Sequence, residues 1–286
     1  MHRSDNMAEL EFLAASQWGM FTTAQAQNLG MRRNQVARMV DACKVEPVCY
    51  GVYRYVAGAE PSQVDVKAAW MSVYPKKTAA DRLSSKPFDA VLAGASAAFA
   101  FGAGDFHASP YTFITNHRKQ TSRKDIRFLQ CAIDDSDVVL VDGIPVTSFE
   151  RTVYDLIRLS EDPDLIDGFM RDAARKTGHV FDLEKLGSLL TGLAPRHGFA
   201  AGDGRAFAAD LIARNTAAYQ VAAAGDSLKR ALDAAARSVQ KAMESNPAFE
   251  ELRKTSSDLS KLYASAYPDL NSSQNLSAKC GSSSST

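Results

Sequence analysis

The stretch "GMRRNQVARMVDACKVEPVCYGVYRYV", Gly30–Val56, decides the fold of the amino-terminal part of the chain. Val36, Met39, Val40 and Cys43 recur at helical spacing, so they share one face of a helix expected over about 33–43. Asn34, Gln35, Arg38 and Asp41 are left on the other face. After Pro47, "VCYGVYRYV" is rich in Val and Tyr about Tyr50-Gly51 and predicts two short strands joined by a tight turn. Upstream, Thr22 and Gln25 form a Thr-x-x-Gln capping box that starts a short helix, and Gly30 closes it. Further back, "MAELEFLAASQ" places Met7, Leu10, Leu13 and Ala14 on one helical face, with Gly19 as its stop. The order is helix, helix, helix, hairpin, with "NLGMRR" as a short Gly-bearing joint. That is the outline of a winged helix-turn-helix over residues 1–60.

In such a unit the second helix of the pair enters the major groove, and its first residues meet base edges. Arg32, Arg33, Asn34 and Gln35 fall there. Arginine donates two parallel hydrogen bonds to guanine, and Asn or Gln does so to adenine. Arg38, one turn on, suits a phosphate or a second base. Thr22, Thr23 and Gln25, at the preceding helix start, are candidate phosphate donors. Arg54, between Tyr53 and Tyr55 on the wing, is a further DNA candidate. Arg32 takes the cap position, where Ser, Thr, Asp or Asn serves better. A solvated charged face or a protein-contact module is the alternative reading of the same pattern.

The 286 residues carry 33 basic and 33 acidic side chains, and 45% are hydrophobic. Balance argues against indiscriminate coating of nucleic acid but leaves room for a local basic patch. Cys43, Cys49, Cys131 and Cys280 make no CxxC pair, and the five histidines make no ligand spacing, so no metal and no cofactor is expected. The start lacks the apolar core of a signal peptide, and no run is long enough to span a bilayer. A cytoplasmic protein without a membrane segment is expected.

Residues 61–195 read as a mixed α/β domain. "VDVKAAWMSVYP" is a predicted helix, "AVLAG" a strand, and "ASAAFAFG" a short buried helix. "YTFIT" and "IRFLQCAI" are predicted strands joined by a basic loop, "NHRKQTSRKD", whose cations offer extra phosphate contacts. "VVLVDGIPVTS" predicts a hairpin about Asp-Gly. Ser148 caps "FERTVYDLIRL", with Glu150 near its positive end. Thr147, Ser148, Arg151 and Asp155 are the candidate partner or anion contact, weighed against a cap plus an i, i+4 ion pair. Asp134, Asp135 and Asp137 cluster without a partner base. No nucleotide loop, metalloprotease or nucleophile motif is present, and "GDGRAF" does not complete a dinucleotide fingerprint, so no catalytic residue is assigned. A nucleic-acid-processing enzyme is the more distant alternative. Residues 196–268 are predicted helical, with stretches at 226–244 and 247–265 and a stripe of Leu228, Leu232, Ala235 and Val239 as a candidate docking surface. The Ser-rich tail 269–286 is expected to be disordered.

"GMFTTAQAQNLGMRRNQVARMVDACKVEPVCYGVYRYV" resembles the amino-terminal domain of AbiEi-type antitoxins, transcriptional regulators of bacterial abortive-infection systems. The shared features are Gly19, Thr22-Thr23, Ala26, Gly30 and Gly51-Val52-Tyr53-Arg54. "AVLAGASAAFAFG" is similar to the family's strand and small-residue helix. "IPVTSFERTVYDLIRL" resembles its V-T-S-x-x-R-T-x-x-D-L signature, and the likeness spans about residues 10–190. The resemblance implies a winged-helix repressor that binds an inverted repeat in double-stranded DNA at its own promoter, as two copies on the site. It also implies a partner, a nucleotidyltransferase-like toxin encoded alongside, that a second domain counteracts.

Overall fold

The structure, a computed structural model, describes residues 3–215, 231–238, 240, 241, 258 and 261. It is mixed α and β, with helices and strands at the amino terminus and helices toward the carboxyl terminus. Met1–Ala223 form one unit and Ala224–Thr286 another. In the second, residues 231–238, 240, 241, 258 and 261 are helical, with Leu232 exposed. The rest of the two helices expected there, and the tail, lie outside the described residues.

In the first unit α1 (Arg3–Ala15) buries Leu10 and Ala14, the apolar stripe read from its spacing. Left-handed backbone at Trp18 and Gly19 turns the chain into β1 (Met20–Thr22). This strand has no alternation to betray it, because all three residues are buried. The capping box then forms: the Gln25 amide donates to the Thr22 hydroxyl at 3.0 Å, and the Thr22 amide to Gln25 Oε1 at 2.9 Å. It opens α2 (Thr23–Asn28). α3 (Arg33–Asp41) turns Val36 and Met39 inward. β2 (Val45–Cys49) and β3 (Val52–Tyr55) pair antiparallel, and β1 joins the other edge of β3, giving the order β1-β3-β2. Leu10, Phe21, Ala26, Met31, Val36, Met39 and Val45 share one core.

The expected seam near residue 60 is a packed one. Met20 and Val52 belong to the same apolar cluster as Val66, Trp70 and Met71 of α4 (Val64–Val73). Two short helices, α5 (Ala79–Ser84) and α6 (Gly94–Ala100), flank β4 (Val91–Leu92). The strands β5 (Tyr111–Thr115), β6 (Ile126–Gln130), β7 (Val138–Val141) and β8 (Ile144–Thr147) complete a sheet of order β6-β5-β4-β8-β7. The Asp142-Gly143 turn forms with positive φ at both residues, and its glycine packs against the Trp18 ring. β5 and β6 run parallel, in register from Tyr111↔Ile126 to Thr115↔Gln130. Parallel neighbours cannot be joined by a hairpin. The basic loop between them therefore returns along the length of the strands.

Helices α7 (Phe149–Arg158), α8 (Pro163–Asp172), α9 (Leu183–Leu190) and α10 (Gly204–Arg214) pack about Val153, Leu156, Phe169, Met170, Leu186 and Phe207. Gly204 has a packing role: a Cβ there would sit 2.1 Å from the Gly187 carbonyl oxygen, so α9 and α10 meet backbone to backbone.

Candidate nucleic-acid interface

The start of α3 stands in solvent. Arg32, Arg33, Asn34 and Arg38 are exposed, and none of the three arginines holds an ion pair among the described residues. The missing cap at Arg32 is made good from inside the helix. Gln35 Oε1 accepts from the Arg32 backbone amide at 2.7 Å, half of a capping box. Gln35, expected to read a base, thus commits its oxygen to the helix start and keeps only its amide NH2 as a donor.

Thr22 and Gln25 correct the expectation that they donate to phosphate. Both are buried. The Thr22 hydroxyl donates to the Pro75 carbonyl at 2.5 Å, and Gln25 Nε2 to the Lys77 carbonyl at 2.8 Å. Buried Gln17 donates to Gln25 Oε1 at 2.8 Å and accepts from the Ala79 amide at 3.2 Å. The chain leaving α4 thus folds over the start of α2 and uses its polar groups. Thr23 is half-buried against the Gly51 carbonyl. Arg54 is also corrected: cross-strand from Glu46, it forms an ion pair with that carboxylate and is no free wing cation. Tyr50, at the hairpin tip, is 86% exposed.

Thr22→Val is expected to destabilise the fold by roughly 1–3 kcal/mol, from a lost cap and the lost hydrogen bond to the Pro75 carbonyl. At about 2–4 °C per kcal/mol for a unit of this size, a thermal melt resolves it. Any DNA affinity should stay put, since Thr22 faces no solvent. A selective loss of DNA affinity without a shift in melting would restore the phosphate role.

An open groove of about 700 Å³ runs between the start of α3, the hairpin and the segment after α4, lined by Arg33, Val36, Tyr50, Tyr53, Pro75 and Arg123. Arg123 comes from the basic loop. Its Nη1 donates to Ser72 Oγ at 2.8 Å and its Nε to Asp125 Oδ1 at 3.0 Å. The hydrogen bond to Asp125 raises the guanidinium above its ordinary range, against the opposing effect of burial. The sequence had no local sign that this loop meets the groove, because the contact depends on the parallel pairing of β5 and β6.

The second constellation is internal. Thr147, Ser148, Arg151 and Asp155 are all buried, which corrects their reading as a surface contact for a partner or an anion. Ser148 caps α7 as expected, accepting from the Arg151 amide. Thr147 and Thr152 share a hydroxyl hydrogen bond of 2.8 Å. Arg151 reaches Asp155 at 3.3 Å, Asp137 at 3.4 Å and Cys131 Sγ at 3.4 Å. Burial pushes Asp155 up to about 6 against the pull of Arg151, and one of its oxygens has no hydrogen-bond partner. Asp137, which had no partner in the sequence reading, also pairs with Lys185 at 3.2 Å. Glu150 accepts from the Asp182 amide at 3.2 Å and lies 2.8 Å from the His179 ring nitrogen. Among the described residues no group of three or more His, Cys, Asp or Glu side chains is placed to hold a metal ion. No described helix is long and apolar enough to cross a membrane.

Residues 8–56 match the family described as transcriptional regulator, AbiEi antitoxin, over α1 through β3. The sequence resemblance is borne out over that span. The chain is also similar to the crystal structure of the RV2827C protein from Mycobacterium tuberculosis, at 13% identity and a TM-score of 0.44, over 77% of this chain and 82% of that one. No curated protein matches the chain.

Proposed function

We propose that the chain is a DNA-binding transcriptional repressor and the antitoxin-like component of a bacterial toxin–antitoxin system of the abortive-infection kind. On this reading α1 through β3 are a winged helix-turn-helix, α3 is the recognition helix, and β2–β3 is the wing. The helix–strand–helix–helix–hairpin order and the β1-β3-β2 sheet support it. One observation carries it: Arg32, Arg33 and Asn34 stand exposed at the first turn of α3, with neither arginine neutralised by an acid among the described residues. Base-edge contacts are made from that position. The target is an inverted repeat near the chain's own promoter, with one copy on each half-site. The protein acts in the cytoplasm, and its toxin partner is nucleotidyltransferase-like.

The test is a gel shift of the full chain on the duplex upstream of its own gene, with scrambled duplex as competitor. Retention of the upstream duplex in tenfold or greater preference supports the reading. Equal competition by scrambled DNA would leave the module as a protein contact surface. The antitoxin half is tested separately, by whether co-expression relieves growth arrest caused by the neighbouring gene.

A further inference from the structure

The start of α2 cannot grip a phosphate, because Pro75 and Lys77 carbonyls occupy Thr22 and Gln25. The segment that blocks it brings cations of its own. Lys76 and Lys77 are exposed beside α2, and Lys77 Nζ lies 5.1 Å from the centre of the Tyr74 ring. The parallel crossover between β5 and β6 lays Lys119 across the same ring, with Nζ at 4.2 Å. Arg82, stacked on Trp70 at 3.4 Å, lies 5.2 Å from the Tyr74 ring.

Three cations therefore gather about one tyrosine. Among the described residues a single carboxylate, Asp89, meets them, at 3.2 Å from Lys77 and 2.9 Å from Arg82. Lys119 has no carboxylate within ion-pair distance among the described residues, and its ammonium is pulled below the ordinary lysine range by burial and by Arg82. An excess of positive charge that is partly desolvated gains from an incoming anion. Next to it, an open recess of about 560 Å³ is lined by Lys119, Gln120, Thr121, Ser122 and Phe128. Amide and hydroxyl donors beside an ammonium suit phosphate oxygens. The recess belongs to the same loop as Arg123, which shares the groove wall with Arg33. Pro75, two residues before Lys77, lines that groove as well.

We propose that Lys77 and Lys119, set together on the Tyr74 ring, hold the phosphate backbone of the duplex whose bases α3 reads. They take over the anchoring that Thr22 and Gln25 cannot supply. The inference rests on the DNA-binding reading above and extends its footprint beyond the first 60 residues.

The test is fluorescence anisotropy of the full chain on its upstream duplex and on scrambled duplex, across a salt series. Each lost phosphate contact lowers the slope of log affinity against log salt by about 0.9. Lys77→Gln/Lys119→Gln is expected to lower it by about 1.8, on both duplexes, with preference between them unchanged. Lys176→Gln, in the helical turn Ala173–Thr177 after α8 and outside this cluster, is the control and should leave the slope as it is. Circular dichroism melts check that the variants fold. An unchanged slope in the double variant, with upstream preference intact, overturns this proposal and spares the reading of α3. Should pyrophosphate raise the melting temperature of the wild type but not of that variant, a small anion owns the cluster. Wild-type binding without preference, still with the slope loss, sinks the operator reading and keeps the phosphate grip. A wild type that binds no DNA sinks both.

Discussion

Arg33→Ala is expected to weaken binding to the upstream duplex by about 1–3 kcal/mol, roughly 5- to 150-fold, while affinity for scrambled DNA changes far less. The asymmetry follows from where the residue sits. Arg33 is the first residue of α3, exposed, on the wall of the groove, with no carboxylate among the described residues competing for its guanidinium. A guanidinium presents a planar fork that matches the two acceptors of a guanine edge, and lysine does not. Arg33→Lys should therefore keep most of the salt dependence and lose most of the preference. Asn34→Ala tests the neighbouring position, where loss of preference should map to an adenine. Arg38, one turn further along, serves as the contrast. If it touches a phosphate, Arg38→Ala lowers affinity on both duplexes and the salt slope by about 0.9. Binding by anisotropy with single base-pair substitutions checks all three. Should Arg33→Ala leave affinity and preference untouched, α3 does not read the duplex.

The parts of the fold readable from sequence were those settled within a few residues. The Thr22–Gln25 capping box, the inward face of α3 and the Asp142-Gly143 turn each depend on short spacings, and each appears as read. What the same residues do in space was less legible. A capping box does not say which way the helix start faces. Thr22 and Gln25 turned out to meet carbonyls more than fifty positions away. The basic loop of ten residues fits an open connection or a crossover equally well in sequence. Only the parallel register of β5 and β6 lays Lys119 on Tyr74. Arg54 looked free because Glu46, its partner, lies across the hairpin rather than beside it in the chain. The exposed arginines of α3 were the most legible part of the site, since helical periodicity alone separates them from Val36 and Met39.

Arg151→Met is expected to cost about 3–5 kcal/mol of stability, the usual penalty for stripping the partner from a buried charge. At about 2–4 °C per kcal/mol, the melting temperature should fall by roughly 6–20 °C. Methionine fills the space of the alkyl stem, so the loss reports charge rather than a void. The groups left behind differ in their support. Asp137 keeps Lys185, whereas Asp155 is wholly buried and loses its nearest guanidinium. This gives the cost a pH dependence with a definite sign. Burial holds Asp155 at about 6 in the folded chain, against an ordinary value of 3.8. An acid raised on folding binds its proton more tightly in the native state, so its contribution to stability falls as pH rises between those two values. That contribution is roughly 3 kcal/mol in the wild type, taken at about 1.4 kcal/mol per unit. Without Arg151 the carboxyl rises further, and the loss continues to higher pH. The substitution should therefore be mildest near pH 5 and most damaging near pH 8, as read by urea denaturation at both. Adding Asp155→Asn to Arg151→Met should recover part of the loss at pH 8 and little at pH 5. An equal loss at both pH values would mean that Asp155 is not the group Arg151 sustains. None of these changes should alter the salt slope of DNA binding once the folded fraction is accounted for, because the network lies buried about α7 and Arg33 lies exposed on α3.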